Sequence, residues 1–249
     1  EQEVEANFQK VLKDFGRRHR NIEQIFLDHF NRIEDQFGSS LSHFSPIAKM
    51  LLGAYFTKEY SIQAAALFNP SIVPHPDQQN LQAGEQRFIM SLRATGEGHI
   101  SSIVFQTGIV DGDGNISLDA SSGYYTCLKK NSHVPYSKEF ILKCATSVSG
   151  FNKAVLDHFP DSFTEEQAHL ILKSLVADNA ALKDSVLVLE QILDSNYELE
   201  ASSHLPVNER VIFPNAKAEQ MGMEDVRLVK FEEGNENCYY GTYTAYDGS

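Results

Sequence analysis

The chain has no tryptophan and only three cysteines in 249 residues. Cys127, Cys144 and Cys238 are odd in number and far apart, so neither a disulfide framework nor a zinc-ligand spacing is visible. A reducing cytoplasm is the expected compartment. Basic residues are also scarce: 21 Lys and Arg stand against 34 Asp and Glu, a formal net charge of -13. Such a surface repels a phosphate backbone, and no basic–aromatic interleaving is found, so nucleic acid is not an expected partner. The one basic cluster, Arg17-Arg18-His19-Arg20, falls in a helical region and reads as a solvated helix end. No apolar run reaches the length of a membrane span, and the start lacks the basic–apolar–small order of a signal peptide, so no membrane partner is expected. A Gly-rich phosphate loop, a nucleophile elbow and a zinc motif are missing too, which leaves other enzyme classes without support. The absence of tryptophan bears on sugar binding, where aromatic faces often serve as platforms. Ten tyrosines can substitute.

What is present is a hydrophobic content of 42%, enough for a globular core. The first sixty residues carry helical stripes. Val4, Phe8, Val11, Leu12 and Phe15 form one, ended by Gly16. Ile22, Ile25, Phe26, Phe30, Ile33 and Phe37 form a second, closed by Gly38. Ser45-Pro46 predicts a cap with proline at the first helical position, followed by Ile47, Met50, Leu51, Ala54 and Tyr55. From about residue 63 to 127 the period changes to two. Phe88, Met90 and Leu92 alternate as in a half-buried strand, Gly96-Glu97-Gly98 is a turn, and Ile100, Ile103, Val104 and Phe105 make the return strand. Asp111-Gly112-Asp113-Gly114-Asn115 lacks the glycine and glutamate of a calcium loop and reads as a tight hairpin turn. A second helical block follows. Thr164-Glu165-Glu166-Gln167 is a capping box. Leu170, Ile171, Leu175 and Ala177 supply one apolar face, and Val186, Leu187, Leu189, Ile192 and Leu193 another.

The densest chemistry lies near the end, in Met221-Gly222-Met223-Glu224-Asp225-Val226-Arg227 and the tyrosine-rich run Tyr239 to Gly248. In a strand, Asp225 and Arg227 share one face and Glu224 points to the other. A carboxylate beside a guanidinium suits sugar hydroxyls or an anion. The plainer alternative is a surface ion pair, which contributes little.

The Glu-Asp-x-Arg core with its tyrosine-rich strand resembles glycoside hydrolase family 130, the mannoside phosphorylases and related hydrolases built on a five-bladed β-propeller. Leu67-Phe68-Asn69-Pro70-Ser71 resembles the early Asn-Pro motif of that family. The run from Arg87 to Ile103 resembles its Arg-bearing first-blade hairpin, and Glu209 to Pro214 its lead-in to the Glu-Asp motif. The resemblance covers roughly residues 63 to 127 and 204 to 249. One departure is Val226, where the common form has proline.

The resemblance implies an α+β fold, a partial antiparallel β-propeller of about two blades with N-terminal helices and an inserted helical subdomain. Residues 1–62 would be the helical segment, 63–127 the first propeller strands, 128–203 the insertion and 204–249 further strands. Since a propeller cannot close on this count, the chain is expected to be an N-terminal portion and inactive alone. Asp225 takes the place of the catalytic acid, and Asn69, Arg93 and Arg227 those of substrate-binding residues. The implied activity is inverting cleavage or phosphorolysis of β-mannosides or related glycosides, with an oligosaccharide as substrate. No cofactor or metal is expected, apart from inorganic phosphate as a co-substrate if the enzyme is a phosphorylase. Phosphorylase and hydrolase stay open. Two further readings are a non-catalytic carbohydrate-binding or regulatory propeller protein and a structural module centred on the helices, through which the chain could form a homo-oligomer.

Overall fold

A computed structural model describes residues 1–37, 41, 43–178, 180–233 and 236–248. The chain divides into two compact units: Glu1–Ser61 with Ser121–Tyr124, and Ile62–Ala120 with Tyr125–Ser249. Helix and strand segregate along it, giving an α+β fold.

The first unit is built on three helices, α1 (Gln2–Phe15), α2 (Ile22–Phe37) and α3 (Pro46–Phe56). Its core joins Phe8, Ile22, Phe26 and Leu51, with Val4, Val11, Leu12, Ile47, Met50 and Ala54 packed around them. The Phe8 and Phe26 rings meet edge to face, 6.4 Å apart. Ser45 caps α3 by accepting the Ala48 N–H at 3.3 Å, with Pro46 at the first helical position. Tyr55, expected inside, is 67% exposed and falls outside the buried stripe. Helices α2 and α3 pack closely because residue 53 is glycine: a Cβ there would lie 1.8 Å from the Phe26 carbonyl oxygen. The expected stop at Gly38 and the side chain of Phe37 lie outside the described residues.

The basic cluster after α1 is not merely solvated. Arg18 and His19 both reach Glu59, at 2.6 and 2.9 Å, and Arg20 lies over the Tyr124 ring. Burial alone raises the Glu59 carboxyl, but hydrogen bonds and charge from His19 and Arg18 outweigh it and hold the group below its ordinary value.

The second unit begins with an antiparallel meander, β1 (Ala66–Pro74), β2 (Gln86–Thr95) and β3 (Ser101–Val110), to which β4 (Ile116–Leu118) adds at the far end. Asp111 closes the β3–β4 turn by accepting the Asp113 and Asn115 N–H groups on Oδ1. After β5 (Thr126–Cys127), the chain enters the helical insertion through β6 (Lys129–Lys130) and β7 (Tyr136–Ser137). The insertion holds α4 (Lys138–Thr146), β8 (Ser162–Phe163), α5 (Glu165–Asp178) and α6 (Lys183–Ser195). It leaves through β9 (Leu199–Glu200), which pairs with β6, so entry and exit form one two-stranded neck. The insertion has its own core around Ile141, Phe163, Leu172 and Leu189.

The capping box forms as expected: the Thr164 hydroxyl accepts the Gln167 N–H at 3.3 Å, and the Gln167 side chain accepts the Thr164 N–H at 2.9 Å. Two face assignments need correction. On α5 the buried stripe runs through Ala168, Leu172 and Leu175, and Leu170 is exposed on the opposite side. On α6 it runs through Val186, Leu189 and Leu193, and Leu187 is exposed. The side chain of Ala177 lies outside the described residues.

The chain then returns to the sheet as β10 (Arg210–Ile212), antiparallel to β3 and parallel to β5. The long hairpin of β11 (Gly222–Glu233) and β12 (Glu236–Tyr246) completes it. One parallel pair, Gly222 with Ser101, joins this hairpin to β3. The strands are thus antiparallel but for two short parallel contacts. Strand β2 is also not half-buried as its alternation suggests. Leu92 and Ala94 face a core with Val104 and Val211, while the odd-numbered side shares its face with Ile103, against which Met223 and Val226 of β11 pack. Among the described residues, no helix is long and apolar enough to cross a membrane.

Candidate functional site

Two β-bulges face each other across the packed strands. In β1, Phe68 pairs with Arg93 and Ser71 with Ser91, so Asn69 and Pro70 together oppose Leu92. In β11, Glu224 pairs with Thr244 and Arg227 with Thr242, so Asp225 and Val226 together oppose Tyr243. The first residue of each bulge is left-handed, Asn69 at φ 54° and Asp225 at φ 55°. Asn and Asp tolerate this conformation better than other non-glycine residues, and a bulge re-aims the side chain it carries.

The re-aimed side chains meet. Asn69 Nδ2 donates to Asp225 Oδ1. Arg93, on the neighbouring strand, donates from Nη1 to the same oxygen at 3.5 Å, from Nη2 to Glu224 Oε1, and from Nε to Ser101 Oγ at 2.9 Å. Its guanidinium carbon sits 5.0 Å from the centre of the Phe68 ring. Arg93 is therefore clamped on three sides and over one face. The carboxylate of Asp225 is 43% exposed, whereas Arg93 and Glu224 are about half that, so the aspartate is the member solvent reaches most easily. Among the described residues, no protein donor is recorded for Asp225 Oδ2, Glu224 Oε2 or Asn69 Oδ1. The cluster presents acceptors outward and uses its donors inward.

Asn69, Arg93 and Asp225, far apart in sequence, are thus brought into one cluster. Two expectations are corrected. Glu224 does not point away: the bulge at Asp225 breaks the alternation, and Glu224 pairs with Arg93. Arg227 does not lie beside the Asp225 carboxylate as a free cation. Its Nη1 donates to the Asn69 and Pro70 carbonyls at 3.3 and 3.0 Å, fastening the β1 bulge to β11. Ser71 Oγ adds to this by accepting the Leu228 N–H at 3.0 Å. Val226 is the second, unpaired residue of its bulge, in the place that Pro70 holds in the other. Bulges are among the few places within a sheet where proline is tolerated.

Sequence reasoning missed Glu219, which is 1% exposed. Its Oε2 accepts the Asn215 and Ala216 N–H groups at 2.9 and 3.0 Å and the Tyr197 hydroxyl at 2.8 Å, and its Oε1 accepts the Tyr243 hydroxyl at 2.5 Å. Desolvation raises this carboxyl, and the hydrogen bonds more than reverse it, so it stays low. Burial and the adjacent carboxylate push both tyrosine hydroxyls far up. Tyr243 is the residue opposite the Asp225 bulge, so this network fixes the back of the hairpin that carries the site. No sequence spacing signals it, because its parts come from three separate segments.

Among the described residues, no group of three or more His, Cys, Asp or Glu is arranged to hold a metal ion. The chain matches no family model, no curated protein and no solved structure.

Proposed function

We propose that the chain carries the sugar-gripping part of an inverting glycoside phosphorylase or glycosidase acting on β-mannosides or related glycosides, on a partial propeller whose first two blades are the β1–β4 and β11–β12 strands. One observation carries the reading. Asn69, Glu224 and Asp225 leave acceptor atoms without protein donors among the described residues, in a frame of hydrogen bonds and ion pairs, and sugar hydroxyls are donors that such atoms recognise. Arg93 acts as a positioning residue, holding both carboxylates. Asp225, the most open member, is the acid or the start of a proton relay through a sugar hydroxyl, and inorganic phosphate or water is the nucleophile. The three free cysteines fit a cytoplasmic setting.

The test is Asp225→Asn, which keeps shape and removes the titratable proton. Release of mannose 1-phosphate or mannose from a mannoside panel should fall roughly 10²–10⁴-fold, with sugar binding retained. The natural protein at full length is the material for this assay. Full turnover by the variant would remove Asp225 from the mechanism. A non-catalytic sugar-binding role is the second reading, favoured by the way Arg93 and Asn69 spend their donors on protein carboxylates. Saturable sugar binding with no turnover, with or without phosphate, would select it.

A further inference from the structure

We propose a second binding site, at the opposite end of the same sheet face, for a small anionic polyol such as a sugar phosphate or a sugar acid. A cavity of about 410 Å³ there is lined by His75, Arg87, Thr107, Asp119, His204 and Arg210, among others. Two of these six are arginines and two are histidines, in a chain whose net charge is -13.

The register explains why they converge. Arg87 pairs with Ile109 and Ile89 with Thr107, so Arg87 and Thr107 share a face. His75 continues β1 beside Arg87, donating its N–H to the Arg87 carbonyl at 2.9 Å. Val211 pairs with Val104, which sets Arg210 opposite Phe105, on the face that Thr107 also occupies.

The two arginines are held in place and each keeps part of its donor set for a ligand. Arg87 Nε is buried and has no hydrogen-bond partner among the described residues, while its Nη1 forms an ion pair with Asp77 at 3.8 Å. Nε is closed to solvent, so a ligand in the cavity meets the exposed remainder of the Arg87 side chain, which is 27% accessible. Arg210 uses Nε and Nη2 on the Leu205 carbonyl, at 3.0 and 2.8 Å, which orients its fork and leaves Nη1. The His75 ring is held at Nδ1 by the Asp77 N–H at 3.0 Å. Asp119 adds the opposite chemistry: Oδ2 accepts the Thr107 hydroxyl at 2.6 Å, and Oδ1 remains as an acceptor for a ligand hydroxyl. Arginines and a carboxylate lining one cavity suit a ligand that carries both an acidic group and hydroxyls. The volume fits a small organic molecule better than a bare ion.

This site is separate from the Asp225 cluster. Arg87 and Arg93 lie six residues apart on one unbroken strand, roughly 20 Å at about 3.3 Å per residue. The inference therefore stands or falls independently of the glycosidase reading.

Calorimetric titration of the whole chain with mannose 6-phosphate, glucuronate, inorganic phosphate and neutral mannose tests it. The expected result is saturable binding of the sugar phosphate or the sugar acid, the better of the two naming the acidic group, and weaker or no binding of the other two probes. Arg87→Gln should weaken it by about tenfold or more. His204→Ala, at an exposed position that carries no fold, should weaken it measurably, and Asp225→Asn should leave it unchanged. The proposal is overturned if neither anionic sugar binds, if neutral mannose or free phosphate binds as well, or if His204→Ala and a folded Arg87→Gln both keep wild-type affinity.

Discussion

Replacing Glu219 tests whether a buried carboxylate, rather than strand pairing alone, holds the site-bearing hairpin in place. In Glu219→Ala the Asn215 and Ala216 N–H groups lose their acceptor in a nearly solvent-free pocket, and the Tyr197 and Tyr243 hydroxyls lose theirs. Each hydrogen bond to a charged group contributes about 1.5–3 kcal/mol, but the losses overlap and the hydroxyls can turn to water. A net cost of about 3–5 kcal/mol is expected. Glu219→Gln separates charge from geometry. Both backbone N–H groups bind Oε2, so the amide oxygen can replace it. The amide nitrogen then takes the Oε1 position, and the hydroxyls rotate to accept from it. Only the charge assistance is lost, about 1–2 kcal/mol. Urea unfolding at pH 7, followed by circular dichroism because the chain has no tryptophan, measures both. The pH dependence gives a second check. The folded carboxyl lies below its ordinary value, so its contribution is complete above the unfolded value of 4.5 and is lost as pH falls through the lower, folded one. The wild type should lose this contribution in acid, and Glu219→Gln should not. An alanine variant within 1 kcal/mol of wild type, or equal costs for alanine and glutamine, would refute the argument.

Three further outcomes are expected. In the N-terminal unit, Glu59 is also held low, so Glu59→Gln should remove a contribution that the wild type loses only as pH falls below about 4.5, read from helical ellipticity during acid titration. Gly222→Ala should destabilise by more than about 1 kcal/mol in urea, because φ is 149° there and a Cβ would lie 2.9 Å from the Ser101 backbone nitrogen at the one pair joining β11 to β3. Thr164→Ala removes half the capping box of α5 and should cost about 1 kcal/mol in thermal unfolding, with Thr164→Ser restoring most of it.

Local order was legible in the sequence. The Ser45-Pro46 start, the Thr164–Gln167 box and the switch from a period of 3.6 to one of 2 are written within a few residues, and the forces behind them act over that range. Asn69, Arg93 and Asp225 were singled out through the family resemblance; the fold brings them into contact, and no spacing joins positions 156 residues apart. What failed were inferences that extended a local period through a break. Leu170 and Leu187 were assigned to faces that the packed stripes exclude, because apolar residues lie on more than one side of each helix. Glu224 was turned the wrong way by an alternation that the bulge at Asp225 interrupts.

The sequence by itself therefore determined the helices, the strands and the residue types that gather in the candidate site. Backbone propensity, capping and periodic burial are properties of neighbours in the chain. Only the tertiary structure decided which way those side chains face. It opposed the bulges of β1 and β11, spent Arg227 on the carbonyls of Asn69 and Pro70, and let Arg93 gather both carboxylates. It also buried Glu219 between segments of no common pattern. A bulge adds one residue against its partner strand, and its effect depends on what lies across from it. That information exists only once the strands have paired.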